Sequence, residues 1–146
     1  MNPILGIDFG EARVGVAISD ELRMLAHPLE TIPAGKTVPA RVNEIVQARK
    51  VERIIVGLPK TMAGEFGTAA TEVLAFVEKL RAIVPCPVTT WDERLTTVAA
   101  NRALRDAGKK TRATRGYVDQ VAAQMILQGY LDRQELLAQR HDQAGD

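Results

Sequence analysis

Two β-rich runs only three residues apart constrain this chain more than any other feature: Ile4–Phe9 (ILGIDF) and Arg13–Ser19 (RVGVAIS). A parallel pair needs a crossover of a dozen or more residues, and Gly10-Glu11-Ala12 cannot supply one. The two runs therefore read as an antiparallel hairpin at the head of a sheet. The first run contains an anomaly, because Asp8 stands among its apolar residues. An ionised carboxylate in such a strand is costly unless a cation or several hydrogen bonds satisfy it. Arg13 is the best cation nearby in sequence. The ordinary alternative is an Asp at a strand end that accepts bonds from the turn's backbone amides.

The remaining periodicities extend the sheet. Pro28–Ile32 fits a third strand, and helical spacing of Val38, Val42, Ile45, Val46 and Arg49 predicts a helix over about 38–50. Arg53–Leu58 (RIIVGL) is a continuous apolar run of the kind buried on both faces. A glycine-bearing loop, Leu58–Gly67, precedes a helix over Thr68–Ile83, and Val88–Trp91 fits a further strand. Thr96 can cap a helix that Gly108 stops near Ala107. Lys109–Thr114 reads as a basic loop and Arg115–Leu131 as a strong helix. Residues from about Ala138 lack periodicity and are expected to fray. At 146 residues the chain has room for one domain. We place it at 1–137, with 138–146 as a flexible tail. The order β-β-β-α-β-α-β-α-α makes an α/β fold with a mixed sheet and helices on its faces. Such open sheets bind ligands beyond their strand ends, which directs attention to Asp8–Gly10, Leu58–Pro59 and Trp91–Arg94.

Carboxylates dominate those places. Asp92 and Glu93 follow a strand and precede a helix, where they could simply favour the helix dipole. Strand alternation sends them to opposite faces, so one of the two can face a site; spacing does not say which. Asp119 shares a helix face with Ala122, Ala123 and Ile126, which turns it toward the sheet unless it sits at the edge of the stripe. Acids from two strand ends and one helix, with no His or Cys to compete, suit a hard cation such as Mg²⁺ or Mn²⁺. Such a site stabilises the attacking and leaving oxygens of an in-line displacement at phosphorus.

Composition removes other classes. A single cysteine, Cys86, excludes an internal disulfide, and with two histidines it excludes a cysteine-based zinc site. Flanked by Pro85 and Pro87, Cys86 reads as a buried small apolar residue at the start of a strand, with a reactive thiol as the lesser reading. No run approaches the length of a membrane span, and no secretory signal opens the chain, so it is expected to be soluble and cytoplasmic. The net charge of +1, from 19 Lys+Arg against 18 Asp+Glu, argues against binding nucleic acid by bulk charge. The distribution says otherwise. Between Asn101 and Gly116, Arg102, Arg105, Lys109, Lys110, Arg112 and Arg115 face Asp106 alone. Such a cluster just ahead of Asp119 suits phosphate contacts that position a backbone without reading sequence. Lys60, in the loop Leu58–Gly67, could add one more, although that loop lacks the Gly-Lys-Ser/Thr of a P-loop. Trp91 could stack a base but fits the core better.

The segments GIDFGEARVGVA, IVGLPKTMAGEFG, DERLTT and RGYVDQVAAQMILQGYL, in this order, resemble the YqgF/RuvX family over nearly the whole chain, to about residue 133. That family is described as Holliday junction resolvases and as nucleases for the 5′ end of pre-16S rRNA. The resemblance implies a ribonuclease H-like fold, with a five-stranded mixed sheet whose first three strands are antiparallel. It implies Asp8, Glu93 and Asp119 as the catalytic, metal-holding acids, and so favours Glu93 over Asp92. The residues themselves, taken with that acidic site, lead to two ions of Mg²⁺ or Mn²⁺, with Arg13, Lys60, Arg94, Lys109, Lys110, Arg112 and Arg115 as nucleic-acid contacts. Thr61-Met62-Ala63-Gly64 departs from the family's usual Asn-Met-Asp-Gly and weakens the case for that loop as a substrate contact.

The leading expectation is a two-metal nuclease acting on structured RNA, pre-rRNA first, with a resolvase of branched DNA as the alternative. The partners implied are the nucleic acid itself and ribosomal or processing factors. A monomer or weak homodimer is expected. A non-catalytic RNA-binding assembly factor is the reading of another class. An ATP-binding module, suggested by Asp-Phe-Gly-x-x-x-x-Gly, is disfavoured because such folds enclose the nucleotide between two domains.

Overall fold

The computed structural model describes residues 1–59, 67–95 and 112–144, with side chains in the last segment described for 119–140. The hairpin forms as its spacing requires: β1 (Ile4–Phe9) pairs antiparallel with β2 (Arg13–Ser19), and β2 with β3 (Ala26–Pro33). Helix α1 (Val38–Arg49) then carries the chain over to β4 (Arg53–Leu58), which lies parallel to β1. Helix α2 (Thr68–Arg81) leads to β5 (Val88–Asp92), parallel to β4. One turn of 3₁₀ helix follows over Glu93–Leu95, and α3 spans Arg112–Ala144. The sheet order is β3-β2-β1-β4-β5.

Strand alternation divides the core into two layers. Leu5 and Ile7 of β1, Val14 and Val16 of β2, and Ile54 and Val56 of β4 pack with α1 and α2. Ile4, Ala17 and Ile55 point the other way and pack with Ala122, Ala123, Ile126 and Leu127 of α3. β1 and β4 are buried on both faces, which explains why they lack polar alternation. Glutamines of α3 hold the start of the edge strand β3. The amide of Gln124 donates to the Ala26 carbonyl, that of Gln128 donates to the Met24 carbonyl, and the Ala26 N–H donates to Gln128 Oε1. These bonds satisfy backbone groups at the start of β3 and in the turn before it.

The expected strands and first two helices are present, with shifted ends. β3 is longer than Pro28–Ile32, and α2 stops at Arg81 because Ile83 and Val84 both turn back to donate to the Leu80 carbonyl. α3 begins at Arg112, where a loop to Thr114 was expected, and runs past Leu131 to Ala144. Residues 132–140 are all exposed, so this end of the helix extends beyond the sheet. A helix can do so because its backbone bonds are internal. The helix expected after Thr96 lies outside the described residues, as do Lys109 and Lys110. Among the described residues no helix is long and apolar enough to cross a membrane.

α3 lies very close to the sheet, and three strand glycines permit it. A Cβ on Gly6 would fall 2.6 Å from Leu127 Cβ, and one on Gly15 would fall 2.1 Å from the Asp119 carbonyl oxygen. Gly15→Ala must therefore lift the helix or bend β2. The expected cost is about 1–3 kcal/mol of stability, read as a lowered urea midpoint. Cys86 is half-buried, and desolvation pushes its thiol pKa up. Less of it is thiolate at pH 8, so it should react with a disulfide reagent more slowly than a free thiol does, with the rate still rising above pH 9.

Candidate active site

The carboxylate end of the sheet is where β1, β4 and β5 finish. Asp8 shares its face of β1 with Ile4 and Gly6, which puts it under α3 and away from α1 and α2. Its cross-strand partner on β2 is Gly15. The backbone of Asp119 rests on that glycine. On the other side of β1, a Cβ on Gly57 would fall 2.7 Å from Glu93 Oε1 and 2.4 Å from Ile126 Cδ1. Acids from β1, from the turn after β5 and from α3 thus gather on one face at one end of the sheet. All three are buried: Asp8 is 1% exposed, Glu93 2% and Asp119 7%.

The adjacent pair separates as alternation requires. Trp91 packs into the α3 layer, so Asp92 points away from it and Glu93 returns to the α3 side. Asp92 is held locally by Arg94. Its Oδ1 accepts from the Arg94 backbone N–H at 3.0 Å, and its Oδ2 accepts from Nη2 at 2.7 Å. That contact holds the Arg94 guanidinium pKa above its ordinary value. Glu93 is the acid of the pair on the same side as Asp8. Trp91 is 8% exposed and meets Tyr130 edge-on at 6.2 Å, which places it in the core. Among the described residues its indole N–H has no hydrogen-bond partner.

The predicted nucleic-acid residues are distributed unevenly. Arg13 donates from Nε to Asp119 Oδ2 at 2.9 Å, so the cation near Asp8 in sequence is paired with the acid of α3. Arg94 is paired with Asp92. Arg112 and Arg115 fall on the first turns of α3, and Lys60, Lys109 and Lys110 lie outside the described residues. The glycines that let α3 approach, Gly15 and Gly57, were not singled out from sequence. Their signal was available, since glycine within an apolar strand marks close approach of another chain segment. A separate concavity of about 990 Å³, lined by Phe9, Pro39, Phe76 and Ile83 among others, opens on the opposite face between α1 and α2.

The donor set fits a hard divalent cation in its chemistry, with only carboxylate oxygens, buried and on one face. It is not drawn into a closed cage. Among the described residues no three His, Cys, Asp or Glu side chains gather closely enough to hold an ion between them. The ion pair from Arg13 already engages one of the acids.

A five-stranded mixed sheet in this order, with helices on both faces and an acid near the end of its central strand, defines a ribonuclease H-like fold. The RuvC of Thermus thermophilus bound to a Holliday junction superimposes on it with a TM-score of 0.57 at 16% identity, covering 92% of this chain and 96% of that one. The model of the family described as RuvX, Holliday junction resolvase, matches residues 2–133, and the chain belongs to that family. It is also similar to a Nocardia farcinica protein that carries the provisional name pre-16S rRNA nuclease, 50% identical over 137 residues, covering 88% of this chain and 76% of that one. A Chloroflexus aggregans protein of the same provisional name is 50% identical over 131 residues, covering 88% of this chain and 92% of its own.

Gly57→Ala should press directly on the Glu93 carboxylate. We expect stability to fall by about 1–3 kcal/mol, read as a lowered urea midpoint.

Proposed function

We propose that this protein is a divalent-metal-dependent nuclease that hydrolyses phosphodiesters in structured nucleic acid, and that its substrate is the 5′ end of pre-16S rRNA. The observation that carries the reading is the placement of three buried carboxylates, Asp8, Glu93 and Asp119, on one face at one end of a ribonuclease H-like sheet. The names of its relatives support the RNA substrate. The family description and the likeness in fold to a resolvase support branched DNA as the second reading.

In this reading Asp8, Glu93 and Asp119 hold two Mg²⁺ or Mn²⁺ ions. When bound, these ions supply Lewis-acid stabilisation of the attacking and leaving oxygens. The chain's own residues do the rest. The sheet end fixes Asp8 and Glu93 on rigid elements, and α3 carries Asp119 on the same face. Arg13, Lys60, Arg94, Lys109, Lys110, Arg112 and Arg115 hold the backbone in line as water adds at phosphorus and the 3′-oxygen leaves. Contacts of this kind bind shape and charge, with affinity that falls as salt rises. The working unit is the single domain at residues 1–137, acting in the cytoplasm as a monomer or weak homodimer, with ribosomal or processing factors as partners.

The test is cleavage of a labelled pre-rRNA fragment and of a four-way DNA junction in Mg²⁺, Mn²⁺ or EDTA. Asp8→Asn, Glu93→Gln and Asp119→Asn should each lower the rate by roughly 10²-fold or more, as losing a group that stabilises transition-state charge does. EDTA should abolish cleavage. Asp92→Asn should stay within a few-fold of wild type. Cleavage that persists in EDTA, or in all three site variants, would remove the proposal. Cutting of the junction in preference to the RNA would select the resolvase reading.

A further inference from the structure

Arg13 is held from two directions. Its carbonyl accepts the Gly10 N–H at 3.0 Å, which closes the β1–β2 turn. Its side chain crosses to α3 and donates to Asp119 at 2.9 Å. Asp119 is held equally firmly, because its backbone rests on Gly15 and its carboxylate accepts from Arg13. The side chain of Arg13 keeps 31% of its surface exposed, against 10% for that of Asp119. One end of the pair is thus open to a ligand in solution and the other is enclosed. The ion pair between Arg94 and Asp92 differs: its residues are two apart in sequence, so it ties no distant segments together.

A guanidinium is a permanent cation, and a carboxylate it neutralises is a poorer ligand for a second cation. It also matches phosphate in a planar, two-pronged contact that a carboxylate at one nitrogen does not exhaust. Both facts meet at a site whose acids share a face without closing into a three-ligand cage.

We propose that Arg13 is a positioning residue that couples metal loading to nucleic-acid binding. Its guanidinium competes with a divalent cation for Asp119; a substrate phosphate draws the guanidinium away and leaves Asp119 to the metal. The inference rests on the metal-dependent reading given above. It makes the two affinities reciprocal: nucleic acid tightens metal binding by the same factor by which metal tightens nucleic-acid binding. Such couplings are typically about 5–150-fold.

The experiment reads Mn²⁺ affinity by calorimetry on the full chain without nucleic acid, in wild type, Arg13→Gln, Arg13→Lys, Asp8→Asn and Asp119→Asn. Arg13→Gln should bind Mn²⁺ about 5-fold more tightly or better. Arg13→Lys keeps the charge and should stay within about twofold of wild type, which separates competition from a merely structural role. In a second arm, fluorescence anisotropy follows a labelled RNA hairpin in EDTA and in Ca²⁺. Ca²⁺ should tighten RNA binding in wild type and do so at least several-fold less in Arg13→Gln. Unchanged or weaker Mn²⁺ binding by a folded Arg13→Gln, or equal Ca²⁺ effects in both proteins, would overturn the proposal. Should Arg13→Gln fail to fold, the anisotropy arm is run on Arg13→Lys, whose loss of the fork must still reduce the Ca²⁺ effect; an undiminished effect overturns the proposal. If neither Asp8→Asn nor Asp119→Asn alters Mn²⁺ binding, the metal reading of the site fails. If both weaken it while Arg13→Gln matches wild type, the role of Arg13 alone fails.

Discussion

The close approach of α3 to the sheet is the constraint on which the rest of the structure depends. A helix packed on a sheet is ordinarily held off by the Cβ atoms of the strands beneath it. Here Gly6, Gly15 and Gly57 remove those atoms at three points, and α3 fills the space with Leu127, Asp119 and Ile126. Two of the three glycines flank Asp8 on the neighbouring strands. The device that packs the helix therefore also brings the acid of α3 toward the acid of β1. Packing and chemistry share the same residues, so a change that relaxes one disturbs the other.

That arrangement places buried charge in a small space. Asp8, Glu93 and Asp119 are all buried, and carboxylates are so enclosed at the cost of lost hydration. Natural chains keep such groups where function requires them and offset the cost elsewhere, here in two apolar layers on either side of the sheet. Arg13 supplies a partner for one of the acids from within the protein. The near-zero net charge of the whole chain conceals this: the acids that balance its cations include three withdrawn from the surface.

Much of this was legible in the residues. The hairpin followed from the three-residue turn, β4 from its unbroken apolar run, and α1 and α2 from their periodicity. Asp8 stood out because a carboxylate does not belong in an apolar strand, and Asp119 because it shared a face with alanines. The Asp92–Glu93 pair was narrowed to one residue per face by alternation, and the resemblance to a known family favoured Glu93. The limits of α3 were less legible. Helix ends depend on what the backbone meets beyond the last packed residue, and residues 132–140 of this helix are exposed.

The sequence by itself determined the order of elements, the two-faced burial of β1 and β4, and the candidate acids, because these depend on local periodicity and on the cost of charge among apolar neighbours. The tertiary structure alone decided which acid of the adjacent pair lies on the side of Asp8, and that Arg13 pairs with Asp119, 106 residues away. It also decided that glycines on separate strands serve one helix. Such facts depend on the register between strands and on the height of a helix above a sheet. Neither is encoded at a single position; both are set only when distant segments pack together.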